Sequence, residues 1–521
     1  MSVAQNSGPG ETSPAPTTTA DAVGEQTPYR KLRGIFGRRP ASEGTDPGRS
    51  RRLKAARSGL PRAVDLSEPL PKRLIKTRLF WITVFMLFVY AACLVLLYRQ
   101  VVPDQDVPGG RLIGLGHEAV PVSAKYAALT AIPLSLLFLW LDRYKPQRFW
   151  VWFMTFAWGA CVATFFAAQI NTWASAHLSI AGDGDPATGS RAAIYVAPFV
   201  EEFAKATVLF WLAILMRYRW VSRLSGIALA GLAGAGFAFV ENILYYGRVY
   251  RYAANTFGEV QPEQALQQLF VMRGVLTFFG HPLFTSMTGI GLAIALRSKS
   301  KIVRVVAPLA GFCAAAFLHM SFNTVSTLVQ GTQLLLMYIF VAIPAVLAMV
   351  VFIVRQEFRE GRLIRERLTD YARVGWLPAE DALPMSRLRT RLRALWQSVF
   401  RGWHAFLATI RTQRAETELA YLRDAMARGI VDDAGLQREK YLLGRVRAER
   451  GNAVIAPAAR ADYARVKELF GRRRTSPSYA PANYPGPAGI GGNLPAPGTA
   501  PIGPAATQYS KVDPNWKPPG E

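Results

Sequence analysis

The sequence predicts an all-α fold: a polytopic membrane helical bundle of about eight transmembrane helices, with a cytoplasmic helical extension and disordered tails. Three observations predict it. The chain of 521 residues is 51% hydrophobic, and its apolar residues are concentrated between Leu79 and Val354. There they form runs close to the roughly 20 residues that cross a bilayer as a helix. The connections between runs alternate between basic and uncharged or mixed, the pattern expected of a chain crossing back and forth.

Residues 1–77 read as a disordered, increasingly basic tail, with Arg30, Lys31, Arg33, Arg38 and Arg39 among its charges. Its first 28 residues are rich in Ser, Thr, Pro and Ala without an apolar core, so no cleavable signal peptide is expected. A membrane domain follows over 78–355. Its eight candidate spans cover approximately 79–98, 124–141, 149–173, 191–216, 224–247, 269–296, 303–326 and 332–354. The second is short and interrupted by Pro133. Asp142 to Lys145, Arg217 to Arg223 and Arg297 to Arg304 are basic connections, whereas Gly182 to Asp185, Asn255 to Gln268 and Gln330 to Gln333 are not. An even number of spans with both termini cytoplasmic fits all six loops, and implies a multi-pass protein of the plasma membrane. Residues 356–475 become charged and helical. Glu416 to Arg428 and Asp433 to Arg450 read as a helical hairpin, with Asp432 or Asp433 as N-cap. Residues 476–521 are Pro/Gly-rich and cannot build a core.

The formal net charge is +26, from 61 Lys and Arg against 35 Asp and Glu. Because the positive residues sit in the tail, the short loops and the extension, they suit an anionic lipid surface, and no nucleic acid is expected as partner. The three cysteines, Cys93, Cys161 and Cys313, all fall in apolar runs and read as buried thiols.

Charged residues inside the spans carry the functional signal. Span four contains Glu201-Glu202-Phe203-Ala204-Lys205. An ionisable group at the bilayer centre costs roughly 2.5–3.5 kcal/mol even on lenient scales, so these groups must face protein or water. Lys205 lies one turn from both glutamates and can neutralise one of them. Span five adds Glu241-Asn242, span six His281 and Thr285, and span seven His319 and Asn323. At 1.5 Å per residue, Glu201, Glu241, His281 and His319 all fall between mid-membrane and the outer leaflet. Alone, a membrane His or Asn is usually a helix-to-helix hydrogen bond. Such groups on four successive spans at one depth mark a site. His117, Glu118, His177 and His404 lie in loops, at a span end or in the extension, and carry no such signal.

Hydrolysis of a peptide bond needs a base for water, an oxyanion stabiliser and a donor for the leaving amine. Glu241, His281 and His319 can act as ligands to Zn²⁺ or a similar divalent ion, with Glu201 or Glu202 as base. Lys205, Asn242 and Asn323 complete the candidate catalytic set. In a metal-free alternative a carboxylate and a His activate water, while His319 and Asn323 stabilise the oxyanion.

The ordered set Glu201-Glu202-x-x-Lys205, Phe237-x-x-x-Glu241-Asn242, His281-x-x-x-Thr285 and His319-x-x-x-Asn323 resembles the PrsW family of intramembrane metalloproteases, which are distantly related to CAAX-processing and bacteriocin-immunity proteases. The resemblance covers residues 79–354. It implies an intramembrane endopeptidase acting on membrane-anchored proteins, with anti-sigma factors as the family's substrates. Two other classes compete. An ion-coupled transporter also uses Glu, His and Lys relays, but should show repeat symmetry and broken helices in matching halves. A catalytically silent scaffold would recruit partners through the extension. Cysteines placed at Asp183 and Asn255 should label from outside and one at Lys299 from inside; labelling of Lys299 from the outer face overturns the orientation.

Overall fold

The computed structural model describes Ile75 and residues 78–456, apart from 108–109, 179–189, 218–219, 221, 256–259 and 430–432. The expected N-terminal tail (but for Ile75), the Pro/Gly-rich tail, the Gly182 to Asp185 loop and the Ile430 to Asp432 turn of the hairpin lie outside the described residues.

In chain order the helices of the membrane part are α1 Arg78–Val101, α2 Gly116–Leu141, α3 Phe149–Leu178, α4 Ala197–Leu215, α5 Arg223–Asn255, α6 Pro262–Phe270, α7 Gly280–Leu296, α8 Lys301–Leu328 and α9 Gly331–Arg373. A two-stranded antiparallel ladder, β1 Gln105–Val107 with β2 Gly110–Leu112, links α1 to α2. Among the described residues, seven helical segments are long and apolar enough to cross a membrane, the α6–α7 stretch Pro262–Leu296 counting as one. The protein is therefore a multi-pass membrane protein. The remaining expected span, the fourth, corresponds to α4 with the π turn Ala192–Val196 before it. It misses that standard only through its own Glu201, Glu202 and Lys205, all of them buried.

Three boundaries differ from the sequence reading. Helix α2 begins at Gly116, so His117 and Glu118 lie in its first turn, with His117 Nδ1 2.7 Å from the Tyr98 hydroxyl. The expected sixth span is broken. Its first part ends in a π turn, Val271–Leu276, and α7 starts only at Gly280. Pro282 explains the break, since it has no N–H to offer the Phe278 carbonyl one turn back and its ring would clash there. Finally, α9 runs for 43 residues, through a π turn at Tyr338–Ala342, joining the last span to the charged segment beyond it.

Large apolar side chains such as Phe88, Ile302, Val305 and Phe340 are largely exposed on α1, α8 and α9. Lipid is their natural solvent, because water would make such a surface an aggregation liability. Cys93 and Cys161 are buried thiols as expected, whereas Cys313 is exposed on α8. Its run faces outward there.

At the centre stands α5, buried on nearly every side through its first half. Glycines let neighbouring backbones touch it. A Cβ on Gly236 would lie 2.0 Å from the Phe156 carbonyl oxygen, and one on Gly159 2.0 Å from that of Ala233, which sets α3 against α5. A Cβ on Gly226 would meet the Gly289 carbonyl at 2.4 Å, and one on Gly234 the His281 carbonyl at 2.8 Å, which sets α7 there. The small-residue face of Gly226, Ala230 and Gly234 is thus a backbone contact of the kind that drives helix association in lipid.

Beyond α9 the chain forms a 3-10 turn at Ala379–Asp381, then α10 Ala382–Ser386, α11 Leu388–Phe400, α12 Trp403–Ala427 and α13 Asp433–Arg450. Ile364, Leu368, Tyr371, Leu419, Leu422 and Leu442 share an apolar core there, which Tyr144 from the α2–α3 connection also joins. Leu436 stays outside it, 37% exposed. The core contains charge as well. Burial, reinforced by neighbouring Asp381, pushes the Glu416 carboxyl well above its ordinary range. The Tyr421 hydroxyl donates to Glu360 at 2.7 Å.

The glycine contacts predict a sharp asymmetry. Gly236→Ala or Gly159→Ala should lower stability by about 1–3 kcal/mol through overpacking. Gly444→Ala in α13, where nothing lies within 4 Å, should be neutral or mildly stabilising. Thermal unfolding of the purified protein in detergent measures all three.

Candidate active site

Four helices bring their polar residues to one buried place. On α4, Lys205 follows Glu202 by three residues and Glu201 by four, so its ammonium reaches both: Nζ is 2.9 Å from Glu202 Oε1 and 3.4 Å from Glu201 Oε2. The sequence alone suggests that only one of two adjacent glutamates can face a cavity. Here Lys205 and His319 lie astride the pair and each approaches both. His319 Nδ1 is 3.2 Å from Glu202 Oε1, and its Nε2 is 3.8 Å from Glu201 Oε2. Thr285 donates to Glu202 Oε2 at 2.8 Å, and Asn171 donates to Glu201 Oε1 at 3.2 Å.

The second half of the cluster is built around Glu241 on α5. Its Oε2 lies 2.8 Å from His281 Nε2 and 2.5 Å from Arg273 Nη2. Arg273 Nε donates to Asn242 Oδ1 at 2.9 Å, and its guanidinium lies 3.9 Å from the centre of the Tyr245 ring. Lys205 joins the two halves. Its Nζ is 2.9 Å from His281 Nδ1 and 3.8 Å from the centre of the Phe237 ring. An ammonium has only hydrogens to offer, so Nδ1 of His281 accepts and the imidazole proton sits on Nε2, toward Glu241. Each imidazole therefore has one nitrogen turned to a carboxylate, His281 to Glu241 and His319 to Glu202. The arrangement matches the outer carboxylates that fix metal-ligating histidines.

Glu201, His281 and His319 form a group whose potential ligand atoms all lie within 4.8 Å of one another. Two imidazoles and a carboxylate suit a Zn²⁺-like ion with an open position. Glu241, expected as a ligand, lies instead at the far nitrogen of His281. Asn242 is buried beside Arg273. Asn323 is turned away, half-buried and donating to the Ala193 carbonyl at 2.8 Å. It ties α8 to the π turn before α4.

Arg273 and Asn171 have no part in the sequence-based candidate set, yet the signal was present for Arg273. It is an ionisable residue within the expected sixth span, and the reasoning that singles out Glu201 applies equally to it. Asn171 carries a weaker cue, an amide in an apolar helix two residues after that of Gln169.

Residues 147–349 match the model of a family described as PrsW family intramembrane metalloprotease. The match spans α3 to the first part of α9 and includes every residue of the cluster. Over that segment, somewhat under half of the chain, the protein is similar to the PrsW family. No curated protein and no solved structure matches the chain.

The pairing of Arg273 with Glu241 predicts a compensation. Arg273→Met leaves a largely buried carboxylate unbalanced and should destabilise the protein by about 3 kcal/mol, the lower end of the range for broken buried pairs because Arg273 is partly exposed. Adding Glu241→Gln should recover much of that loss. A thermal-unfolding double-mutant cycle checks it, and simple additivity of the two losses would show that the pair is not coupled.

Proposed function

We propose that this protein is a metal-dependent intramembrane endopeptidase in which Glu201, His281 and His319 hold a Zn²⁺-like ion. The observation that carries the reading is the convergence of those three donors, with Glu241 and Glu202 bracing the two imidazoles from outside. Such an ion, when bound, would supply Lewis acidity toward a peptide carbonyl. Glu202, adjoining the donor set, is the carboxylate that accepts the proton of the attacking water. Lys205, bonded to Glu202 Oε1, is placed to pass a proton toward the leaving amine. Arg273 holds Glu241 against His281 and so acts as a positioning residue.

An apolar groove supports a membrane-anchored protein as substrate. Trp158, Phe166, Phe199, Val200, Phe203 and Phe312 line it, and Ala204 lies on its wall. Val200 and Ala204 immediately precede Glu201 and Lys205 in α4, so an apolar segment in this groove runs one helix-width from the site. The family resemblance suggests an anti-sigma-factor-like protein. The excess of basic residues fits an anionic leaflet of the plasma membrane with both termini cytoplasmic. Residues 356–475 then form a cytoplasmic regulatory or docking unit.

One observation favours a second reading. Lys205 Nζ already lies against His281 Nδ1, so an ammonium stands where a metal would take that nitrogen. In the metal-free version Lys205 is the permanent cation and Glu201 activates water together with His319.

Variants distinguish the readings. His281→Ala, His319→Ala and Glu201→Gln should each abolish both bound metal and cleavage of a single-pass substrate. Glu202→Gln should weaken metal binding by about 10–100-fold without abolishing it, and at saturating metal should still lose cleavage by roughly 10²–10⁴-fold. Glu241→Gln should weaken metal binding by about 10–100-fold without abolishing it. Metal analysis of the purified variants with a cleavage assay provides both measurements. Full activity with no bound metal leaves the Glu201–His319 mechanism, and no cleavage of any single-pass substrate by folded protein points to a transporter or scaffold.

A further inference from the structure

A cavity of about 460 Å³, apart from the candidate active site, opens where α5 and α8 begin and α7 ends. Arg223, Arg297, Arg359 and Arg428 all line it, with Ser222 and Ser298 between them. Two carboxylates share the space: Asp424 pairs with two of these arginines, and Glu360 takes hydrogen bonds from Ser222 and from the Leu224 N–H at the start of α5, which leaves the four guanidiniums in excess. Asp424 lies 3.1 Å from Arg297, 2.9 Å from Arg428 and 3.5 Å from Arg367. Glu360, on the cavity wall, receives the Tyr421 hydroxyl at 2.7 Å. Among the described residues, Arg223 and Arg359 have no ion-pair partner.

The backbone adds to the positive potential. Arg223 is the first residue of α5, and the preceding Ser222 accepts from the Ser225 N–H at 3.1 Å. Val303, also on the wall, lies in the first turn of α8, where Ser300 caps its N–H at 3.4 Å. Two helix N-termini thus border the same space, each with the positive end of its dipole toward it. Fixed guanidiniums converging on one cavity repel one another unless an anion lies between them, and a planar guanidinium matches phosphate oxygens two at a time.

We propose that this cavity binds a phosphate-bearing anion, gripped by Arg223 and Arg359, with Arg297 and Arg428 held in place by Asp424. Two sources share that chemistry: the headgroup of an anionic phospholipid and a soluble phosphate. The surroundings favour the lipid, because Arg359 extends from α9, whose apolar length lies open to the bilayer. The site is independent of the peptidase reading, and neither stands on the other.

The test uses the full chain purified in detergent, with phosphatidylglycerol and inorganic phosphate as separate probes. Native mass spectrometry reads retained lipid, and the thermal midpoint reads either probe. Wild type should retain phosphatidylglycerol, while Arg223→Gln and Arg359→Gln should each weaken its binding roughly tenfold, the effect of one lost charge-assisted contact. Arg411→Gln, which removes a surface pair with Glu449, should bind as wild type does. Protection by phosphatidylglycerol that inorganic phosphate cannot match identifies a headgroup site. Equal protection by phosphate alone identifies a soluble ligand at the same arginines. Arg359 is exposed, so its variant stays folded even if Arg223→Gln does not. Unchanged binding in Arg359→Gln, or no binding of either probe by folded wild type, overturns the proposal.

Discussion

Three carboxylates buried inside a membrane bundle set the terms for the rest of the structure. Glu201, Glu202 and Glu241 lie where little water can reach them, and an isolated ionised carboxylate there is far too costly to persist. Lys205 and Arg273 supply two compensating cations, and each is placed by the helix geometry around it. Lys205 reaches both glutamates of its own helix because three- and four-residue spacings share a face. Arg273 reaches Glu241 and Asn242 from the π turn before the break in the sixth span. Three acids against two fixed cations leave one negative charge in excess. A divalent ion at Glu201, His281 and His319 would more than offset that excess.

These contacts span four helices, so they depend on how closely the backbones approach. Helix α5 makes that approach possible by presenting glycine where α3 and α7 cross it. The contact of Gly234 with the His281 backbone is the most direct link between packing and site. It sets the start of α7 against α5 about two turns before Glu241, close enough for His281 Nε2 to meet that carboxylate. The break at Thr277–Phe279 has a similar consequence. An unbroken helix through Pro282 would carry Arg273 and His281 on one rigid register, whereas the break lets each approach Glu241 from its own direction.

Much of this was legible in the sequence, for a physical reason. The bilayer forbids charge in its interior unless charge has a purpose, so Glu201, Glu202, Lys205, Glu241, His281 and His319 stood out against an apolar background. Helical periodicity was enough to pair Lys205 with its glutamates. What periodicity could not supply was the pairing between helices. The side of His281 on which Glu241 lies depends on the crossing of α5 and α7, and no spacing along one chain encodes that. Asn323 misled because its position one turn after His319 puts it on the same helix face, while the neighbouring chain at Ala193 took its amide. Arg273 lies near the edge of an expected span, where the position of a basic residue does not separate a buried partner from an interfacial anchor. The continuous α9 was likewise hidden by its change from apolar to charged composition, which alters the solvent around a helix without ending it.

The position of Lys205 Nζ makes the choice of cation the central chemical question of the site. Nδ1 of His281 has one lone pair, and it can receive either a hydrogen of the ammonium or a metal. If a metal takes it, the ammonium keeps Glu201 and Glu202 as neighbours and remains within reach of the proton that Glu202 would accept. If the ammonium keeps it, His281 is locked between Lys205 and Glu241, and the only imidazole nitrogen near Glu201 is Nε2 of His319. The two arrangements use the same six side chains and differ in which of them are free to act. Lysine in this place therefore does more than neutralise an acid. It holds the nitrogen on which the metal-dependent and metal-free chemistries diverge, and the carboxylates on either side keep that nitrogen turned inward in both.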